Sequence, residues 1–89
     1  MSTPLAIAVQ GTPNPNAAKF ILNRTVATQG MTYRDASTAQ VAWAKQLLGV
    51  AGVTQVFALQ NFISVTKRPE AEWQTIGPHV EAILKQAFA

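Results

Sequence analysis

Cysteine is missing altogether from this 89-residue chain. Its absence excludes disulfides, thiolate nucleophiles and the ordinary ligands of zinc and iron–sulfur clusters. It also removes the usual clue to redox compartment. Histidine occurs once, as His79, and acids occur only as Asp35, Glu70, Glu72 and Glu81. His79 and Glu81 stand two apart, a spacing that does not place them on one helix face. No metal site and no cofactor are expected from so few converging ligands. Ser37 and Ser64 have no neighbouring base, so acid–base or nucleophilic machinery is thin and no enzyme is expected. No apolar run approaches the ~20 residues that span a bilayer. Met1-Ser2-Thr3 offers neither a basic n-region nor an apolar h-region. The sequence therefore predicts no signal peptide and a cytoplasmic location.

Charge is sparse too. Charged residues are 12% of the chain, and the net charge is +3. Its basic residues are scattered apart from the pair Lys67-Arg68, and the aromatics read as core. A nucleic-acid binder gathers basic charge on one face beside exposed aromatics, so the pattern argues against that partner.

Apolar residues, by contrast, make up 48%, enough for one domain over 1–89 with a single core. Leu5 to Gln10 alternates as a first strand and Lys19 to Asn23 as a second. Between them lies Thr12-Pro13-Asn14-Pro15-Asn16. Proline fixes φ and restrains the residue before it, and asparagine bonds its own following backbone. The result is a stiff, polar hairpin loop, and a stiff loop loses little entropy when a partner binds it. Residues 24–36 read as a long irregular connection, with at most a short strand near Met31–Tyr33. Ser37 and Gln40 have the spacing of a capping box, which predicts a helix from Thr38 to about Val50. Gly52 is the expected C′ residue, with Gly49 the alternative.

Val53 to Leu59 follows as a strand, with Val53, Gln55, Phe57 and Leu59 on one face. Gln60-Asn61 suits a tight turn with Asn61 taking positive φ, and Phe62 to Thr66 is the next strand. Pro69 suits the first turn of a helix, with Glu70 and Glu72 near its N-terminus. Trp73, Ile76, Val80, Ile83, Leu84 and Ala87 then keep helical phase through Gly77-Pro78, predicting one kinked helix. The order strand-strand-helix, twice, predicts an α+β fold in two layers, ββαββα. Its sheet is four-stranded and mostly antiparallel, with two helices on one face. Phe20, Trp43, Phe57, Val65 and Ile83 are the expected core.

Thr12-Pro-Asn-Pro-Asn-x-x-Lys-Phe20 resembles the N-terminal domain of Nfu-type, NifU-related, iron–sulfur scaffold proteins. So do Leu47-Leu48-x-Val50-x-Gly52-Val53, then Val56-Phe57, then Phe62-Ile63-Ser64-Val65-Thr66-Lys67, and Trp73, Pro78 and Val80 further on. Ala18 and the run Val41-Ala42-Trp43-Ala44 depart from the family pattern as packing changes. The second, Cys-x-x-Cys domain of those scaffolds has no counterpart in these 89 residues. The resemblance implies a non-catalytic accessory or docking domain, tied to iron–sulfur cluster assembly or delivery and unable to ligate a cluster itself. Its implied partners are other assembly proteins or client apo-proteins. The candidate contact residues are Pro13, Asn14, Pro15, Asn16, Lys19, Asn61 and Lys67. The alternative is a small-ligand or metal-ion binding protein of other function.

Overall fold

The computed structural model describes residues 4–88. Five strands and two helices follow in the order β1 (Ile7–Gly11), β2 (Ala17–Leu22), β3 (Ala27–Tyr33), α1 (Ala42–Leu48), β4 (Val53–Gln60), β5 (Phe62–Lys67) and α2 (Trp73–Phe88). The strands form one sheet in the order β1-β2-β5-β4-β3, with every neighbouring pair antiparallel. The α+β class stands, but the sheet has five strands and not four. The extra strand is the segment read as irregular. β3 pairs Ala27 with Gln60 and Met31 with Ala58, so four steps on β3 oppose two on β4. Such a bulge breaks the two-residue alternation by which a strand is read. Gly30 lies in the bulge, where an added Cβ would come within 3.3 Å of the Phe57 ring.

A second irregularity reverses the expected phase of β4. Val53 pairs with Lys67 and Gln55 with Thr66, two steps against one. Val53 and Val56 therefore both turn to the core, followed by Ala58. Phe57 turns to the opposite face of the sheet and lies 6.0 Å from Phe62, centroid to centroid. Phe57 is thus not part of the core. Phe20, Leu22, Ile63 and Val65 share one buried cluster with Leu47 of α1 and with Ile76, Val80 and Leu84 of α2, and Trp43 and Ile83 pack at its margin.

The capping box does not form. Ser37 gives its N–H and its hydroxyl to Asp35 Oδ1, at 2.9 and 2.8 Å. The N–H groups of Thr38 and Ala39 go to the Asp35 carbonyl. Asp35 is a turn former of the Asx type and outcompetes the cap; the two Ser37 bonds hold its carboxyl below the ordinary carboxylate value. α1 starts late, at Ala42, after an N-cap Val41 that supplies no side-chain bond. It ends with Gly49 as a right-handed C-cap, and positive φ falls at Gly52, in the turn leading to β4. At the turn between β4 and β5, Gln60 and not Asn61 takes positive φ, at 54°. Pro69 lies in the turn before α2, which starts at Trp73 and runs as one helix through Pro78.

Candidate functional site

The Thr12–Asn16 loop is stiff for the expected reasons and for further ones. Its own groups close it first. The Thr12 hydroxyl lies 2.8 Å from the Asn14 carbonyl and accepts the Asn14 N–H. Asn14 Oδ1 accepts the Asn16 N–H at 2.9 Å, the Asx arrangement. Distant residues then pin it. Lys67 Nζ donates to Asn16 Oδ1 at 3.1 Å and to the Arg68 carbonyl at 3.3 Å, and the Lys67 N–H meets the Asn16 carbonyl at 2.7 Å. Trp73 Nε1 donates to the Pro15 carbonyl at 3.1 Å. Lys67 is 8% exposed and stands 5.9 Å from the Trp73 ring. A charge buried to that degree needs its hydrogen-bond partners, and Asn16 and the Arg68 carbonyl supply them. Among the described residues no buried side-chain polar atom lacks a partner.

The seven candidate contact residues are therefore not one cluster. Pro15, Asn16 and Lys67 meet beside Trp73. Pro13 and Asn14 lie exposed at the loop tip. Lys19 is on the opposite face of the sheet, with Nζ 4.5 Å above the Phe62 ring. Asn61 sits at the β4–β5 turn, where its carbonyl takes the Leu22 N–H. Trp73→Phe should lower stability by about 0.5–1.5 kcal/mol, the net worth of one hydrogen bond. Faster amide exchange at Asn16 and Ala17 would accompany the loss; unchanged exchange there would show that the Trp73 bond does not hold the loop.

Between this hairpin and α2 runs a groove of about 680 Å³. Val9, Gly11, Ala18 and Phe20 form its floor, and Trp73, Gln74, Pro78 and Glu81 form its wall. Val9 is 56% exposed there. Sequence reasoning missed this groove. Val9 reads as one more apolar residue of an alternating strand, Trp73 as the first residue in the apolar phase of its helix, and Pro78 as part of that helix's kink. A second depression of about 550 Å³ separates the end of α1 from α2 and includes His79. Among the described residues no group of three or more His, Cys, Asp or Glu converges as a metal site, and no helix is long and apolar enough to cross a membrane.

Five antiparallel strands, two helices and a pinned Thr-Pro-Asn-Pro-Asn hairpin define a small α+β domain of the kind that begins iron–sulfur scaffold proteins. The chain belongs to that family: the model of the scaffold protein Nfu/NifU N-terminal domain matches residues 7–89. It is 40% identical over 86 residues to an NFU1 iron-sulfur cluster scaffold homolog, mitochondrial, from Drosophila willistoni, covering 93% of this chain and 30% of that protein. It is 33% identical over 82 residues to conserved virulence factor C of Staphylococcus aureus strain USA300, covering 91% of this chain and 22% of that one. The chain thus spans less than a third of the length of these curated relatives. The crystal structure of protein SAV1430 from Staphylococcus aureus is similar with a TM-score of 0.79 at 35% identity, over 88% of this chain and 96% of that one. A NifU-like protein from Saccharomyces cerevisiae shares the fold, with a TM-score of 0.81 at 22% identity over 96% and 81% of the two chains.

Proposed function

We propose that this domain is a non-catalytic protein-interaction module in cytoplasmic iron–sulfur cluster assembly or delivery. It contacts assembly proteins or client apo-proteins and leaves cluster ligation to others. The observation that carries this reading is membership of the Nfu N-terminal family in a chain without cysteine. Thiolates are the normal cluster ligands. The proposed contact surface is the exposed loop tip of Pro13, Asn14 and Pro15, with Asn16 and Lys67 as internal supports. Lys19 and Asn61 offer separate contacts, on the opposite sheet face and at the far turn.

Two measurements test this function. Anaerobic reconstitution with iron and sulfide, then desalting, should leave no stoichiometric cluster on the protein. Immobilised domain should retain iron–sulfur assembly proteins or cluster-dependent enzymes from the native cytoplasm, identified by mass. Stable brown protein, or a retained set without any such protein, overturns the reading.

A further inference from the structure

Among the described residues β1 is an outer strand, paired on one side only. The Asn23 N–H donates to the Ala6 carbonyl at 3.3 Å, which sets the phase of the ladder. Antiparallel pairing alternates inward and outward backbone groups. Ala6, Ala8 and Gln10 therefore turn N–H and C=O toward β2, whereas Ile7, Val9 and Gly11 turn theirs away from the sheet. Proteins blunt such an edge with charge, proline or a bulge. Ile7–Gly11 has no charged residue and no proline, and its register is unbroken. The opposite edge, β3, is broken by its bulge.

β1 is also short of cover. A helix of ~10 Å diameter roofs about two strands spaced ~4.8 Å apart. Two helices therefore cannot cover all five strands, and Met31, on the core face of β3 opposite buried Ala58, is exposed at the other edge as well. Val9, although paired with buried Phe20, stays exposed on that account. Along the groove's wall Gln74, Pro78 and Glu81 recur at i, i+4 and i+7, one stripe of α2. Pro78 has no N–H, so the Gln74 carbonyl lacks its usual helical donor. Glu81 is the one charged residue lining the groove.

The geometry points to the outer edge of β1 as the docking site for an extended segment of a partner protein, added as a sixth strand, with an aliphatic side chain over Phe20 and Trp73 and a lysine or arginine reaching Glu81. This deepens the interaction role proposed above and rests on it. The outward N–H and C=O groups specify an extended backbone, as in strand addition. The apolar floor specifies the aliphatic side chain. Glu81 and the Gln74 carbonyl, both acceptors, specify the cation. A second copy of this chain fits less well. β1 has no cation to offer Glu81, and five residues a side fall far short of the ~20–30 a side of a stable interface.

The test titrates isotope-labelled protein with a capped peptide of alternating valine and threonine ending in lysines. Saturable shifts are expected at the Ile7, Val9 and Gly11 amides and at the Trp73 indole N–H. The same peptide ending in glutamates should bind roughly fivefold more weakly, the scale of an exposed ion pair, and Glu81→Lys should reverse that preference. Val9→Pro removes one outward N–H and leaves the β2 ladder intact. It should lose the shifts at an unchanged melting temperature, whereas Val9→Thr keeps them. The proposal is overturned by no saturable shift up to about 1 mM peptide, by shifts confined elsewhere, or by Val9→Pro binding normally. It is also overturned if the same amides shift with protein concentration alone, which would identify a second copy as the occupant. Peptide binding by a domain that retains no assembly protein would sink the function above and leave this site standing.

Discussion

Phe20→Ala is expected to cost about 3–5 kcal/mol, and Phe57→Ala much less. Phe20 is 1% exposed in the middle of β2 and lies 6.4 Å from the Trp73 ring. Its loss would open a cavity where β2, β5 and α2 meet, and rigid neighbours refill such a space poorly. That cost is a large share of the ~5–15 kcal/mol that holds a whole domain together, so the variant should unfold at a much lower urea concentration and temperature than the parent. Phe57 lies half-buried on the other sheet face against Phe62. Removing one ring of such a pair costs about 0.5–1.5 kcal/mol beyond the area it covers. Urea unfolding of both variants separates the two positions. Equal losses would mean that the β4 bulge is absent and that Phe57 points inward after all.

Gly52→Ala should be the most damaging single-atom addition. Gly52 has φ +96°, and a Cβ there would lie 2.8 Å from Ala71 Cβ and 3.2 Å from Ile76 Cδ1. Left-handed backbone costs an ordinary residue about 1–2 kcal/mol, and forcing an extra carbon into packed surroundings costs about 1–3 kcal/mol more. Neither obstacle can step aside cheaply. Ala71 Cβ is fixed to the backbone, and Ile76 is itself buried against the core. The Gly52 carbonyl also takes the Arg68 N–H at 2.7 Å, so any shift would pull on the link between β5 and α2. Gly49→Ala is the control: Gly49 is right-handed, and its nearest obstacle is 3.4 Å away. Thermal melts should show a large drop for Gly52→Ala and little change for Gly49→Ala. A Gly52→Ala protein that melts like the parent would contradict the tight turn.

Most elements were legible in the sequence because they keep one period along their length. Phe20 and Leu22, or Ile63 and Val65, alternate cleanly, and Ile76, Val80 and Leu84 keep helical spacing across Pro78. What stayed hidden were interruptions of period. The β3 bulge hid a whole strand, and the β4 bulge moved Phe57 to the wrong face. The Ser37 cap failed because Asp35, two residues earlier, had prior claim on the same N–H. The loop's stiffness was legible from Pro13, Asn14, Pro15 and Asn16, since Asx turns are local. Its anchors were not, because Lys67 and Trp73 arrive from 51 and 58 residues away. The groove was less legible still. It exists because strands outnumber what two helices can roof, and that depends on strand order.

That strand order also governs how the chain must assemble. β1–β2 and β4–β5 are hairpins whose partners are neighbours in sequence, and each can close quickly. The seam joining them, β2 against β5, runs through the middle of the sheet and pairs Ala17 with Thr66. Closing so long a loop is an entropic loss met before any contact across the seam repays it, and non-local pairing of this kind slows folding. As the chain emerges from the ribosome, the first hairpin must wait with Phe20 and Leu22 uncovered until β5 and α2 have been synthesised. Ile76, Val80 and Leu84, which close the core, arrive later than every strand. Until then the first hairpin holds together on its own turn alone, and the Asx-locked, proline-stiffened loop keeps Phe20 in register for a partner strand not yet made.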